Sequence, residues 1–205
     1  MFETALRKEF SSIQVNQQTI EELLVEIHKH YSKSNRYYHN LAHLESLYEN
    51  LLAVAEKIND WQVIIISIAY HDIVYNTLKQ DNEEKSAQMA RSRLTKIGLP
   101  AAKIEACCSQ ILATKGHSIS ADSDTNYFTD ADLAILGTSE ANYNQYKIAI
   151  RKEYKFYPDL LYNPGRKKVL EHFLSMSRIY KTDYFFERYE DLARANMLLE
   201  LKGLE

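Results

Sequence analysis

The chain has 205 residues, 45% hydrophobic and 26% charged, the make-up of a folded globular protein with ample apolar material for a core. A net charge of −3 excludes general electrostatic coating of nucleic acid or anionic lipid, leaving room only for local basic pockets. Five glycines and three prolines cannot supply the turns of an all-β sandwich, so an all-α fold is expected.

In chain order, "QQTIEELLVEIHKHY" puts Leu23, Leu24, Ile27 and Tyr31 on one helical stripe, with Thr19 and Glu22 spaced as a capping box. From Leu41 to Ile58 the positions Leu44, Leu47, Leu51, Leu52, Ala55 and Ile58 keep the helical period, which predicts a second helix with His43 in its first turns. Asp60 can cap a third, "WQVIIISIAYHDI", apolar nearly all round and therefore expected at the centre of the fold, with His71 and Asp72 at its C-terminal end. "DNEEKSAQMARSRLTKIG" follows, with Asp81 or Asn82 as N-cap and Gly98 as the stop. Pro100 suits the first turn of "PAAKIEACCSQILATKG", which ends at Gly116 beside His117. The polar stretch from Ser118 to Asn126 reads as a loop, and "DADLAILG" as a short helix ended by Gly137. Three more helices are expected in "SEANYNQYKIAIRKEYKFY", "RKKVLEHFLSMSRIY" and "DYFFERYEDLARANMLLELK". No composition shift marks a boundary, so one helical domain over 1–205 is expected, with a core at about 36–137 and C-terminal helices over 138–205.

Cys107 and Cys108 are neighbours, which on a helix diverge by about 100°, so they read as free thiols in a reducing compartment. The opening "MFETALRKEF" has no apolar run of signal-peptide length and "VIIISIAY" is too short to span a bilayer, so a cytoplasmic protein without membrane contact is expected.

Two stretches carry chemistry, "RYYHNLAH" with His39 and His43 and "IAYHDIV" with His71 and Asp72. Two imidazoles and two carboxylates hold a hard or borderline divalent ion well and leave positions for water and substrate. Adjacent residues on a helix diverge, so His71 and Asp72 can flank one ion only where the helix ends, which is where they stand. Burying an unpaired Asp there costs roughly several kcal/mol unless a cation or strong donors compensate it. Taken alone, such a pair is more often a core histidine bonded to a carbonyl and an Asp capping its turn. His39 and His43 share a face if the helix already includes both. A zinc-protease H-E-x-x-H is excluded, because Asn40 stands where that motif has its general base.

Together "YHNLAHLESL", "YHDIVYN", "NEEKSA", "TDADLAILG" and "IRKEY" resemble the HD-domain metal-dependent phosphohydrolases, over roughly residues 36 to 200, and in particular a small bacterial branch of predicted HD phosphohydrolases. "YHNLAH" is also similar to the Y-H-N-x-x-H motif of cyclic nucleotide phosphodiesterases of the same fold group, although the further His and Pro-Gly that follow their doublet are missing here. The resemblance implies an HD-domain-like helical bundle in which His43, His71, Asp72 and Asp132 bind a divalent ion (Mn, Mg, Fe, Co, Ni or Zn), with Asp130 as the rival of Asp132. It implies His39 as proton donor to the leaving oxygen of a small phosphate ester, a nucleotide being the expected kind.

Glu83 and Glu84 fall beyond the doublet, where a carboxylate could orient water; as first-turn acids they also suit the helix dipole. His117 and Lys115 could serve a second metal or a phosphate, and Arg36, Arg151 and Arg194 could clamp phosphate, each against an ordinary surface reading. A di-iron oxygenase of the same fold and a non-catalytic nucleotide or metal sensor are the competing classes. The helices carry enough apolar surface for a homodimer, but no long heptad seam argues one.

Overall fold

The computed structural model describes residues 1–204; among them are ten α-helices, two 3-10 turns and no strand. The chain clusters into two compact units, 1–129 and 130–205. The division falls inside the helix Ser123–Asp132.

In the first unit the helices are α1 (Phe2–Ser11), α2 (Gln17–Tyr31), α3 (Leu41–Leu52), α4 (Trp61–Tyr70), α5 (Asn82–Lys96), α6 (Ala101–Ala113) and most of α7 (Ser123–Asp132). The sequence stripe did not reveal α1, whose Phe2, Leu6 and Phe10 are buried. The cap of α2 is Asn16, which accepts the Thr19 N–H, so the Thr19–Glu22 box does not form. The helical period after Leu52 continues only as a 3-10 turn at Ala55–Lys57. Asp60 caps α4 as expected, accepting the Val63 N–H at 3.1 Å.

The core of this unit is α4. Ile64, Ile65, Ile66, Ile68, Ala69 and Tyr70 are all inaccessible to solvent, and α1, α3, α5 and α6 pack around them. Each such aliphatic side chain contributes on the order of 1.5–3 kcal/mol, enough to hold the end of α4 as a rigid base for His71. Arg93 of α5 makes a two-pronged ion pair with Glu26 of α2, both contacts 2.8 Å. Gly98 stops α5 with φ +76°, a left-handed turn that glycine adopts without strain. Part of the expected 118–126 loop is helix: α7 starts at Ser123, held by Asp124, whose buried carboxylate accepts the N–H groups of Asn59 and Asp60. Both cysteines are free and buried, and burial pushes the Cys107 thiol up to about 12.

The second unit holds the end of α7, a 3-10 turn at Leu133–Gly137, α8 (Glu140–Glu153), α9 (Asp159–Ser175) and α10 (Asp183–Lys202). Helix α9 starts earlier than its apolar pattern suggested and carries Pro164 inside it. Gly137 is dictated by packing: a Cβ there would lie 2.5 Å from both Cβ and O of Tyr189 on α10. Arg166 of α9 is buried and pairs twice with Glu200 of α10, at 2.8 and 3.0 Å, while Tyr143 of α8 donates to the same carboxylate. No helix among the described residues is long and apolar enough to cross a membrane.

Candidate metal centre

Helix α3 begins at Asn40, whose side-chain oxygen accepts the N–H groups of Ala42 and His43 at 2.9 and 3.4 Å. That cap answers two of the open donors of the first turn and fixes the direction of His43, which is buried. His39 therefore precedes α3 rather than sharing its face, yet its ring lies edge-on to that of His43, with centroids 5.7 Å apart.

His71 is the C-terminal cap of α4 and is 1% exposed. Its Nδ1 stands 3.0 Å from the carbonyl of Ile68; a carbonyl only accepts, so in the neutral ring Nδ1 carries the proton and Nε2 presents a lone pair. That Nε2 is 3.1 Å from His43 Nε2 and 3.1 Å from Asp72 Oδ2. Asp72 Oδ2 lies 3.9 Å from both His43 Nε2 and His39 Nε2. The end of α4 thus lets adjacent residues converge.

Ligand atoms about 2.1 Å from one ion and 90–110° apart at it are separated by about 3.0–3.4 Å. The two 3.1 Å separations have that size, while the 3.9 Å between His43 Nε2 and Asp72 Oδ2 is wider, and the His71 tautomer aims a lone pair towards the same place. His43, His71 and Asp132 also offer three ligand atoms that all lie within 4.8 Å of one another, a group able to hold a metal. Asp132 is the last residue of α7, the helix that starts in the first unit at Ser123.

Asp130, the alternative on the same helix, is fully buried and engaged elsewhere. Its carboxylate accepts the N–H groups of Lys181 and Thr182 at 2.9 and 2.7 Å and the Thr182 hydroxyl at 2.7 Å, and pairs with Lys181 Nζ at 3.3 Å. Glu190 holds the preceding N–H groups, of Ile179 and Tyr180, so two carboxylates pin the segment from 179 to 182. Burial holds the Lys181 ammonium below its ordinary range despite Asp130 beside it.

Glu83 and Glu84 occupy the first turn of α5. No hydrogen bond or ion pair among the described residues joins Glu83 to the histidines. Glu84 is ion-paired with Lys115, whose Nζ also donates to the Gln80 carbonyl at 2.9 Å. That pair lowers the Glu84 carboxyl and raises the Lys115 ammonium. His117 is buried in the turn that follows α6, in the left-handed region at φ +50°, outside the His43–His71–Asp132 group. Arg151 binds Asp159 and the Tyr154 and Tyr157 carbonyls, and Arg194 binds Glu190 and three carbonyls at 174, 176 and 177.

Several residues that touch the site were not singled out from the sequence. Tyr31 accepts the Asp72 N–H at 3.2 Å, and Phe128 meets the His71 ring edge-on at 5.9 Å. His30 Nδ1 donates to the Ile73 carbonyl at 2.7 Å, and burial lowers the pKa of His30. Tyr75 packs against His39 with centroids 4.4 Å apart. The sequence signal of Tyr31, His30 and Tyr75 is nearness to the two histidine motifs, and that of Phe128 is nearness to the Asp130–Asp132 stretch.

No known protein family, curated protein or solved structure matches the chain.

Proposed function

We propose that the protein is an HD-type, metal-dependent phosphohydrolase that cleaves a phosphomonoester or phosphodiester of a small molecule, a nucleotide by preference. The observation that carries the reading is a third imidazole: His39 reaches the same Asp72 oxygen as His43 and His71, yet stands outside their 3.1 Å contacts. A site that merely stores a metal has no need of it.

His43, His71 and Asp72, with Asp132 as fourth ligand, would hold the ion. When bound, a divalent ion supplies a Lewis acid that lowers the pKa of a coordinated water and offsets charge developing on phosphoryl oxygens. The Ile68 carbonyl keeps the His71 proton on Nδ1, so that Nε2 remains a donor of electron pairs. His39, half-buried and carried on the segment before α3, would deliver a proton from Nε2 to the departing oxygen. Phe128 and Tyr75 wall the rings of His71 and His39.

Release of phosphate and nucleoside from a panel of nucleotides and generic phosphoesters, with Mn, Mg, Co, Ni, Fe or Zn supplied, tests the reading. Metal-dependent turnover that disappears in Asp72→Ala is expected. No turnover in either protein, with metal still bound stoichiometrically by the wild type, would move the assignment to an oxygenase or a sensor.

A further inference from the structure

Arg36 is 5% exposed, a rare burial for a guanidinium, and its contacts are not those of an anion site. Nη1 donates to the carbonyl of His39 at 2.9 Å and Nη2 to the carbonyl of Ile73 at 3.0 Å. One planar cation therefore joins the segment that carries His39 to the turn that follows His71 and Asp72. It also sits against two aromatic rings: the guanidinium carbon lies 4.7 Å from the Tyr31 ring centroid and 5.3 Å from that of Tyr75. Tyr31 accepts the Asp72 N–H, and Tyr75 packs on the His39 ring with an interplanar angle of 31°. The Ile73 carbonyl is held a second time, by His30.

We propose that Arg36 is the positioning residue of this site, a clip that fixes the His39 ring over the His-Asp pair through the His39 carbonyl and the Tyr75 ring. Lysine cannot replace it, because a point ammonium lacks the rigid planar fork that serves two carbonyls at once beside the two aromatic rings. The positioning has catalytic meaning only if the phosphohydrolase reading holds, so its test has one arm that needs no turnover.

Full-length Arg36→Ala and Arg36→Lys are compared with wild type, all loaded with Mn. In the first arm hydrogen exchange is followed at the Asn40, Ile73 and Val74 amides, each bonded in the native chain. The expected result for Arg36→Ala is exchange about tenfold faster at these amides, unchanged exchange in α10, and undiminished metal per chain. Equal acceleration everywhere, or none at these three, would overturn the clip. In the second arm bis-p-nitrophenyl phosphate is the probe. A fall in kcat of about a hundredfold with KM nearly constant is expected, since misplacing a catalytic group by about 1 Å costs that much. Millimolar methylguanidinium should restore part of the lost kcat in Arg36→Ala, where it can refill the slot, and none in Arg36→Lys. A cation that only weakened the fold would slow both variants, and restored rate in both variants, or in neither, counts against the clip. If wild type shows no turnover, the phosphohydrolase reading fails alone, and the exchange arm still decides on Arg36.

Discussion

Removal of a metal from the proposed site should destabilise the fold by an amount that can be worked out. His43 comes from α3, His71 from the end of α4 and Asp132 from the end of α7, so the ligand set exists only in the folded chain. An ion that binds the folded form alone stabilises it by RT ln(1 + [L]/Kd), about 2.7 kcal/mol at a hundredfold excess over Kd. For a chain of this size each kcal/mol moves Tm by about 2–4 °C, so the expected rise is about 5–11 °C. Scanning calorimetry of chelator-treated protein titrated with Mn, Ni or Zn reads it directly. His71→Ala removes an Nε2 that lies 3.1 Å from both of its neighbours and should abolish most of the rise. A shift as large in His71→Ala as in wild type, or no shift at saturating metal, would refute the ligand assignment.

Three further outcomes follow from named contacts. Asp130→Ala leaves Lys181 Nζ buried without its carboxylate and opens two N–H groups, so urea unfolding should show a loss of about 3–5 kcal/mol; a loss under about 1 kcal/mol would contradict the account of Asp130. Gly137→Ala drives a Cβ into Tyr189 backbone that cannot yield, and should abolish the native far-UV and near-UV signature of the second unit or cost several kcal/mol, on the order of the larger core substitutions; a stable variant would rule out the close approach. The Glu200 carboxyl is raised by burial, yet the hydrogen bonds and charge of Arg166 outweigh this and hold it below its ordinary range. Its stabilisation is therefore present above the ordinary carboxylate pKa and lost as pH falls through the lowered value, so acidification towards about pH 3 should weaken wild type more than Glu200→Gln, and equal slopes would argue otherwise.

The legible parts of the fold were those decided locally. Helix α10 occupies the stretch its apolar period marked, and α4 is buried all round as its composition required. What the period could not show were features decided by distant partners. The start of α7 depends on Asp124 meeting Asn59 and Asp60 some sixty-five residues earlier in the chain, which turned a polar loop pattern into helix. The cap of α2 moved from Thr19 to Asn16 because both offer a suitable oxygen and only geometry separates them.

The same distinction runs through the site. Residue types and order singled out His39, His43, His71 and Asp72, and the structure brings the three imidazoles around one oxygen of Asp72. Sequence could not separate Asp130 from Asp132, since the partners that engage Asp130 lie at 181 and 182, about fifty residues on. Nor could it show that Arg36, chosen as a phosphate clamp, has two of its donors on backbone carbonyls. Burial decided both, and burial is a property of the whole fold.

The central claim is that one group of side chains holds the ion and another, His39, moves the proton. Metal content and turnover of a responsive phosphoester, measured side by side in wild type, His43→Ala and His39→Ala, test it most directly. The account predicts that His43→Ala loses both metal and turnover, while His39→Ala keeps its metal and loses the chemical step by about a hundredfold or more. Equal metal loss in the two variants, or full turnover without His39, would contradict it.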